Sequence, residues 1–143
     1  MARKRHARVR LNRKAIDGVR LALADGAHEI AKTIVREARP PDATPFGEGL
    51  VTRGGTLAYV GSKKIDGWSL DGSQPKKPRA LRVRGSDAIV AVAGFGFPAR
   101  FQEFGTVHHG AQPFFMPAIN AVAPRAGSIM ARTAKYRIAR IRG

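Results

Sequence analysis

The stretch NRKAIDGVRLALADGAHEIAKTIVREARPP, residues 12–41, decides the fold of this chain of 143 residues. Its apolar side chains recur every three or four residues, which is typical of one stripe of an amphipathic helix. The members of this stripe are Ile16, Val19, Leu23, Ala27, Ile30 and Ile34. Asn12 is a suitable N-cap, and Pro40 and Pro41 end the pattern because proline disfavours helix in the residue before it. The stretch therefore predicts one long helix.

The middle of the chain predicts strands. Residues 56–60 read as a short strand, and residues 81–84 and 88–95 flank a turn that contains Gly85, which is typical of a hairpin. Because both faces of the second flank are apolar, we expect a central strand that is covered on both sides. Residues 61–78 are polar and rich in turn-forming residues, and they predict a long loop.

A second helix is expected to begin near Pro117, with Pro124 bending or interrupting it. Its predicted buried stripe consists of Ile119, Val122, Ala126, Ile129, Thr133 and Ile138. The pattern predicts an α+β fold, in which a small, twisted, mostly antiparallel sheet packs against a long N-terminal helix and a C-terminal helix. We expect a basic N-terminal arm over residues 1–11 and a single domain over residues 12–143.

The positive charge is concentrated at the two ends of the sequence. The chain carries 26 basic and 10 acidic residues, and its net charge is +16. The first fourteen residues hold seven bases, and no acidic residue follows Glu103. Such blocks indicate a polyanionic partner or an acidic protein surface, and the alternative is a tail that only increases solubility. The basic residues expected to face a partner or DNA are Arg3, Lys4, Arg5, Arg8, Arg10, Arg13, Lys14, Arg132, Lys135, Arg137 and Arg140.

The predicted loop is a second candidate contact surface. Its candidate interface residues are Lys63, Lys64, Trp68, Lys76 and Lys77. A tryptophan is unusual in a fully solvated loop, so Trp68 either anchors the loop on the domain or belongs to an interface. The sequence leaves both alternatives open.

Enzymatic chemistry has little support in the sequence. The chain has no cysteine, no nucleophile-elbow serine, no phosphate-binding loop and no dinucleotide fingerprint. His108 and His109 are adjacent, so their side chains point apart, and no further ligand stands at metal-binding spacing. If Glu103 is buried, it needs a positively charged or hydrogen-bonding partner. We predict no catalytic residue, metal, cofactor or small-molecule substrate.

Neither a bilayer span nor a secretion signal is expected, because no apolar run is long enough. Nucleic-acid binding is a real alternative, since the isoelectric point of about 11.6 is typical of such proteins. The aromatic residues are nevertheless clustered rather than interleaved with Arg and Lys, and no recognition motif is present. The alternative function is therefore a small, basic protein that binds nucleic acid without sequence specificity, through phosphates.

Two short segments carry a distinctive motif. They are Phe101–Gln102–Glu103–Phe104–Gly105–Thr106 and Gln112–Pro113–Phe114–Phe115–Met116–Pro117–Ala118. The pair resembles the hallmark of a tailed-phage family of head–tail joining and tail-component proteins. Members of that family show a Glu-Phe-Gly-Thr turn, a short gap, and a Pro-Phe-x-x-Pro-Ala entry into the last helix. The order of the predicted helices and strands is similar as well.

The resemblance implies a structural virion protein of a siphovirus-like neck. Such a protein forms a homo-oligomeric ring, often of six subunits, that joins the head connector to the tail tube. It acts as a tail-completion or tail-terminator protein or as an adjacent neck protein. The implied partners are head-closure or connector proteins and tail-tube or terminator proteins, with DNA passing through the lumen. Assembly would take place in the host bacterial cytoplasm, and the final location would be the virion.

The motif residues are expected to build a rigid corner before the last helix. Gly105 permits a sharp turn, because glycine adopts backbone conformations that other residues avoid. We expect Phe101, Phe104 and Phe114 to wedge this turn onto the sheet. The full set of corner residues is Phe101, Glu103, Phe104, Gly105, Thr106, Pro113, Phe114, Pro117 and Ala118.

Overall fold

The computed structural model describes residues 12–38, 54–77, 81, 88–96, 99–108 and 110–142, the side chains of residues 141 and 142 excepted. The helices are α1 (Arg13–Glu37), α2 (Ala99–Phe104), α3 (Phe115–Val122) and α4 (Ala126–Arg142), with a 3-10 turn (Ala123–Arg125) between the last two. The strands are β1 (Gly55–Val60), β2 (Lys63–Ser69) and β3 (Ile89–Gly94). The expected arm over residues 1–11 lies outside the described residues.

The first helix begins and ends as its sequence predicts. The side chain of Asn12 accepts a hydrogen bond from the Lys14 amide at 3.0 Å, which satisfies one of the unpaired amides of the first turn. The helix ends at Glu37, and the Ala38 amide donates to the Ile34 carbonyl. This end lies just before the two prolines that the sequence analysis uses as a stop signal.

The buried face of α1 differs from the predicted stripe. The buried residues are mostly small, namely Ala22, Ala24, Gly26, His28, Ala31 and Val35, whereas Val19 and Leu23 remain exposed at 44% and 37%. The reason is that α1 packs on two sides, against β1 and β3 and against α3 and α4. A Cβ at Gly26 would lie 3.3 Å from the Met130 backbone, so the two long helices approach closely there.

The three described strands form an antiparallel sheet in the order β2–β1–β3. The prediction that residues 88–95 form the central strand is wrong for this sheet. The central strand is β1, which pairs on both edges and buries four consecutive residues from Thr56 to Tyr59. Residues 89–93 are apolar yet only half-buried. The partner predicted for this strand, residues 81–84, falls almost wholly outside the described residues.

The predicted long loop is wrong over its first half, because residues 63–69 form β2. A two-residue turn at Gly61 and Ser62 joins β1 to β2, and only residues 70–77 continue as a loop. Trp68 pairs with Thr56 in the sheet, and the Arg36 guanidinium lies 4.9 Å from its ring centroid. The tryptophan is therefore anchored on the domain, and the five candidate interface residues do not share one loop.

The C-terminal helices confirm the expected interruption at Pro124. The 3-10 turn that contains this proline separates α3 from α4, because proline cannot donate the hydrogen bond that a continuous helix needs. Val122 and Ile129 of the predicted stripe are buried. The long C-terminal helix packs against α1, which itself covers β1 and β3. The fold is α+β with a long N-terminal helix, a three-stranded antiparallel sheet and a long C-terminal helix, as predicted.

Candidate functional site

The motif segments meet at a corner between α2 and α3. After Phe104 the chain turns at Gly105, whose φ of 80° lies in the region that glycine favours. The Gly105 amide donates to the Phe101 carbonyl at 2.8 Å and closes the end of α2. The sharp turn that the sequence predicts at Gly105 is confirmed.

Glu103 joins the two halves of the motif. One carboxylate oxygen, Oε2, accepts hydrogen bonds from the amides of Phe114 and Phe115, each at 2.9 Å. The other oxygen, Oε1, accepts from the Met116 amide at 2.9 Å. These amides lie at the start of α3, where no side chain of the local N-cap residue bonds the backbone. Glu103 therefore caps α3 from a distance of 11–13 residues, an arrangement that we name the Glu103 clamp.

The clamp places a carboxylate where it is both desolvated and strongly hydrogen-bonded. Glu103 is only 8% exposed. Burial alone raises the pKa of Glu103, but the three backbone hydrogen bonds together outweigh this effect and hold the pKa below its ordinary value. The positive end of the α3 dipole also favours the charged form. The requirement for a partner, expected from the sequence, is met by backbone amides.

Gln102 adds a second connection across the same gap. Its side-chain amide donates to the backbone carbonyl and to the side-chain oxygen of Gln112 at 3.0 and 3.1 Å. The backbone carbonyl of Gln102 accepts a hydrogen bond from the backbone amide of Gln112 at 2.9 Å. Both glutamines belong to the motif, but no sequence signal marks them as a pair. Since Gln102 and Glu103 bind different parts of the second segment, the corner is held at two points.

The aromatic residues of the corner divide into buried and exposed members. The Phe114 ring is buried and packs edge-on against Phe95 at 5.1 Å between centroids, and Phe115 packs on the same ring at 5.3 Å. Phe101 is half-buried. Phe104 does not wedge onto the sheet as expected, because it is 78% exposed. The helical turn directs it outward from the buried side that Gln102 and Glu103 occupy.

An apolar groove lies beside the exposed Phe104. Its volume is about 390 Å³, and its lining includes Phe95, Phe104, Phe114, Phe115 and Met116. Met116 is 48% exposed. Val107, in the segment after the turn, is 97% exposed. Exposed apolar patches mark interaction sites more often than the rest of a protein surface does.

The remaining motif residues support the corner from both sides. Ala118 is buried in a cluster with Ala38, Ala99 and Phe114, which ties the corner to the C-terminal end of α1. The Thr106 hydroxyl accepts from the His108 amide at 3.2 Å. Pro113 and Pro117 are exposed and flank the start of α3. The structure thus brings the predicted corner residues together.

The predicted basic residues have different environments. Arg13, Lys14, Arg132, Lys135, Arg137 and Arg140 are exposed, and Arg3, Lys4, Arg5, Arg8 and Arg10 lie outside the described residues. Arg137 bonds Asp25 of α1 at 2.7 Å, so it joins two helices of the same chain. The Arg140 guanidinium lies over the Tyr136 ring at 5.8 Å.

A buried polar cluster that the sequence analysis missed links α1 to the sheet. His28 Nε2 lies 2.6 Å from the Thr56 hydroxyl, and Nδ1 lies 3.5 Å from an Asp66 carboxylate oxygen. With the ring proton on Nδ1, Nε2 accepts a hydrogen bond that the Thr56 hydroxyl donates. Thr56 is 1% exposed, so its hydroxyl is closed to a substrate from solvent. No local pattern indicates the cluster, because its members are far apart in the chain.

Burial of the ring has the largest effect on the pKa of His28 and lowers it, and the positive charge of Lys32 lowers it further. The negative charges that raise it are those of Asp66, Glu29 and Asp25. The net result is a pKa below the ordinary value, so the ring stays neutral at pH 7. The cluster therefore acts as a neutral hydrogen-bonded link between α1, β1 and β2.

Within the described part of the chain, no group of three or more potential ligands could hold a metal ion. None of the helices there is long and apolar enough to cross a membrane. No protein-family model, no curated protein and no solved structure matches the chain.

Proposed function

We propose that this protein is a structural subunit of a tailed-phage neck, where copies of the chain form a closed ring between the head connector and the tail tube. The observation that carries the proposal is the clamped corner, in which the residues of the family-like motif hold α3 and expose an apolar groove. No reactive group is required for this function.

The corner has the properties of a subunit contact. Phe104 is the last residue of a short helix, and the preceding residues Gln102 and Glu103 are hydrogen-bonded to the second motif segment. The backbone that carries Phe104 is therefore held in place before any partner binds. Preorganisation of this kind reduces the cost of association. Aromatic side chains beside an apolar pocket are the usual centres of binding energy in protein interfaces.

The proposed occupant of the groove is a second copy of the chain. A ring needs a heterologous contact, in which one surface patch of a subunit meets a different patch of the next, and the rotation between subunits closes the circle. A stable contact of this type buries roughly 1,200–2,000 Å² in total. The groove and Phe104 supply the apolar centre of such a contact, and the polar surface around them supplies its periphery.

The oligomeric state of the full chain tests this proposal. We expect light scattering and native mass spectrometry to give one defined closed oligomer, and electron microscopy to show rings. Phe104→Ser should shift the mass toward the monomer while leaving the far-ultraviolet circular dichroism spectrum unchanged, since the exposed side chain contributes little to the fold of the isolated subunit. The control Tyr136→Ser removes another largely exposed aromatic side chain, which is 67% exposed on α4, and should leave the oligomer intact.

An unchanged mass for Phe104→Ser would show that the corner is not the subunit contact. The ring would lose its support if the purified wild-type chain were monomeric and purified phage particles also contained no ring of it.

A further inference from the structure

The two long helices run antiparallel, and this direction places the basic part of α4, from Arg132 onward, beside the N-terminal half of α1. Arg125 of the 3-10 turn pairs with Glu37 at the end of α1, whereas Arg137 near the end of α4 pairs with Asp25 in the middle of α1. As the chain proceeds along α4, its partners therefore move toward the N-terminus of α1. At about 1.5 Å per residue, Arg13 lies roughly 18 Å beyond Asp25, and α4 extends about 7 Å beyond Arg137.

A third element contributes to the same end of the molecule. Lys63, which follows the turn between β1 and β2, lines a shallow groove together with Asp17 and Arg20 of α1. We define the basic end as the first two turns of α1, this turn of the sheet and the part of α4 from Arg132 onward. Its exposed basic residues are Arg13, Lys14, Lys63, Arg132, Lys135 and Arg140.

Most of the net charge of the chain lies in the two ends of its sequence, and the basic end includes their described parts. Residues 1–20 contain eight basic residues and one acidic residue, and residues 132–142 contain five basic residues and no acidic one. These 31 residues hold +12 of the net +16, which leaves +4 for the other 112.

The charge at this end is largely unneutralised. Its acidic residue, Asp17, already bonds Arg20 at 3.4 Å. Elsewhere Arg36 pairs with Glu29. By contrast, Arg132 and Lys135 are exposed, three residues apart on α4, and no acidic side chain in the described ranges pairs with them. A cationic surface without internal counterions attracts a polyanion.

We propose that the basic end binds the phosphate backbone of duplex DNA without reading its sequence. The nearby exposed aromatic ring, Tyr136, is covered on one side by Arg140, so the surface offers cations rather than a platform for stacking unpaired bases. Binding of this kind is driven by the release of counterions from the duplex. The inference goes beyond the proposed ring and does not depend on it, because the corner lies at the opposite end of α1.

The test is fluorescence anisotropy of a labelled 24-base-pair duplex of arbitrary sequence, titrated with the full chain at several NaCl concentrations. The variant R132Q/K135Q removes two charges from the basic end. The matched control K76Q/K77Q removes two exposed charges from the loop after β2, where Pro75 lies against Gly55 at the other end of the sheet. All four side chains are exposed, so we expect both variants to fold with unchanged thermal transitions.

Each lost phosphate contact should reduce the slope of log K against log salt concentration by about one. We expect R132Q/K135Q to reduce the slope by about two and to weaken binding roughly fivefold at 0.1 M salt. R13Q/K14Q should have a similar effect. K76Q/K77Q should leave slope and affinity close to those of the wild type.

Three results would overturn the inference. The first is no binding of the duplex by the wild-type chain at 50 mM salt. The second is an equal loss of affinity in R132Q/K135Q and in the control, which would mean that net charge rather than the basic end attracts DNA. The third is competition by poly-L-glutamate as effective, charge for charge, as competition by unlabelled duplex, which would assign the surface to an acidic protein partner.

Discussion

Replacing Glu103 should destabilise the protein far more than replacing an exposed glutamate. In Glu103→Ala all three amides at the start of α3 lose their acceptor. The Phe114 amide is buried, and an unsatisfied buried donor costs about 1–3 kcal/mol. The amides of Phe115 and Met116 are partly buried and can recruit water, so their loss resembles the loss of an ordinary helix cap, about 1 kcal/mol. We expect the free energy of unfolding to fall by about 3 kcal/mol.

Glu103→Gln should have about half that effect. A carboxamide keeps one acceptor oxygen, which can hold the two amides that share Oε2, but its NH₂ group then faces the Met116 amide. Urea denaturation followed by circular dichroism measures both changes. Glu29→Gln is the matched control, because its half-exposed carboxylate pairs with Arg36 and should contribute less than about 1 kcal/mol.

The clamp also predicts a dependence on pH. Because folding lowers the pKa of Glu103, its stabilisation is complete above the unfolded-state pKa, about 4.3, and is lost as the pH falls below it through the folded-state pKa. The difference in stability between the wild type and Glu103→Gln should therefore shrink on acidification. A Glu103→Gln variant within about 0.5 kcal/mol of the wild type at pH 7 would refute the role of the clamp.

Two further predictions concern α1 and its neighbours. Gly26→Leu should destabilise the protein by several kcal/mol because a Cβ already meets Met130, whereas Gly127→Ala, which faces open space in α4, should stabilise it by up to about 1 kcal/mol; equal effects in thermal denaturation would contradict the close helix contact. Because burial lowers the pKa of His28, its stabilisation is complete above about pH 6.5 and is lost as the pH falls through the folded-state pKa. His28→Asn should therefore reduce the loss of stability between pH 7.5 and 5.5, and an unchanged pH profile would exclude His28 as its source.

The features that the sequence predicts well depend on local signals. The N-cap at Asn12, the stop before Pro40, the interruption at Pro124 and the turn at Gly105 each follow from the conformational preferences of one residue and its neighbours. These preferences depend on only a few neighbouring residues. The ends of the helices, and with them the fold class, can therefore be predicted from the sequence.

The features that the sequence analysis misses depend on contacts between distant residues. Strand β2 lacks a clear alternation of polar and apolar side chains because it lies at the edge of the described sheet, and pairing with β1 determines its conformation. The predicted buried stripe of α1 is wrong because a helix packed on two sides buries small residues rather than one stripe of large ones.

The sequence identifies residues of the candidate site but not the contacts that they make. The motif identifies Glu103 and Gly105, and the structure adds that Glu103 caps a helix that begins 12 residues later. Phe104 is predicted to be buried but is exposed. The hydrophobicity of a side chain does not reveal whether its own subunit or a partner buries it. The basic end depends on the antiparallel direction of α1 and α4, which only the ion pairs between them reveal.

Electron cryo-microscopy of phage particles purified from cells that carry the gene tests the central claim most directly. We predict a ring of this chain at the head–tail junction, with Phe104 and the apolar groove buried between neighbouring subunits. Particles without the chain, or a ring in which the groove remains open to solvent, would contradict the account.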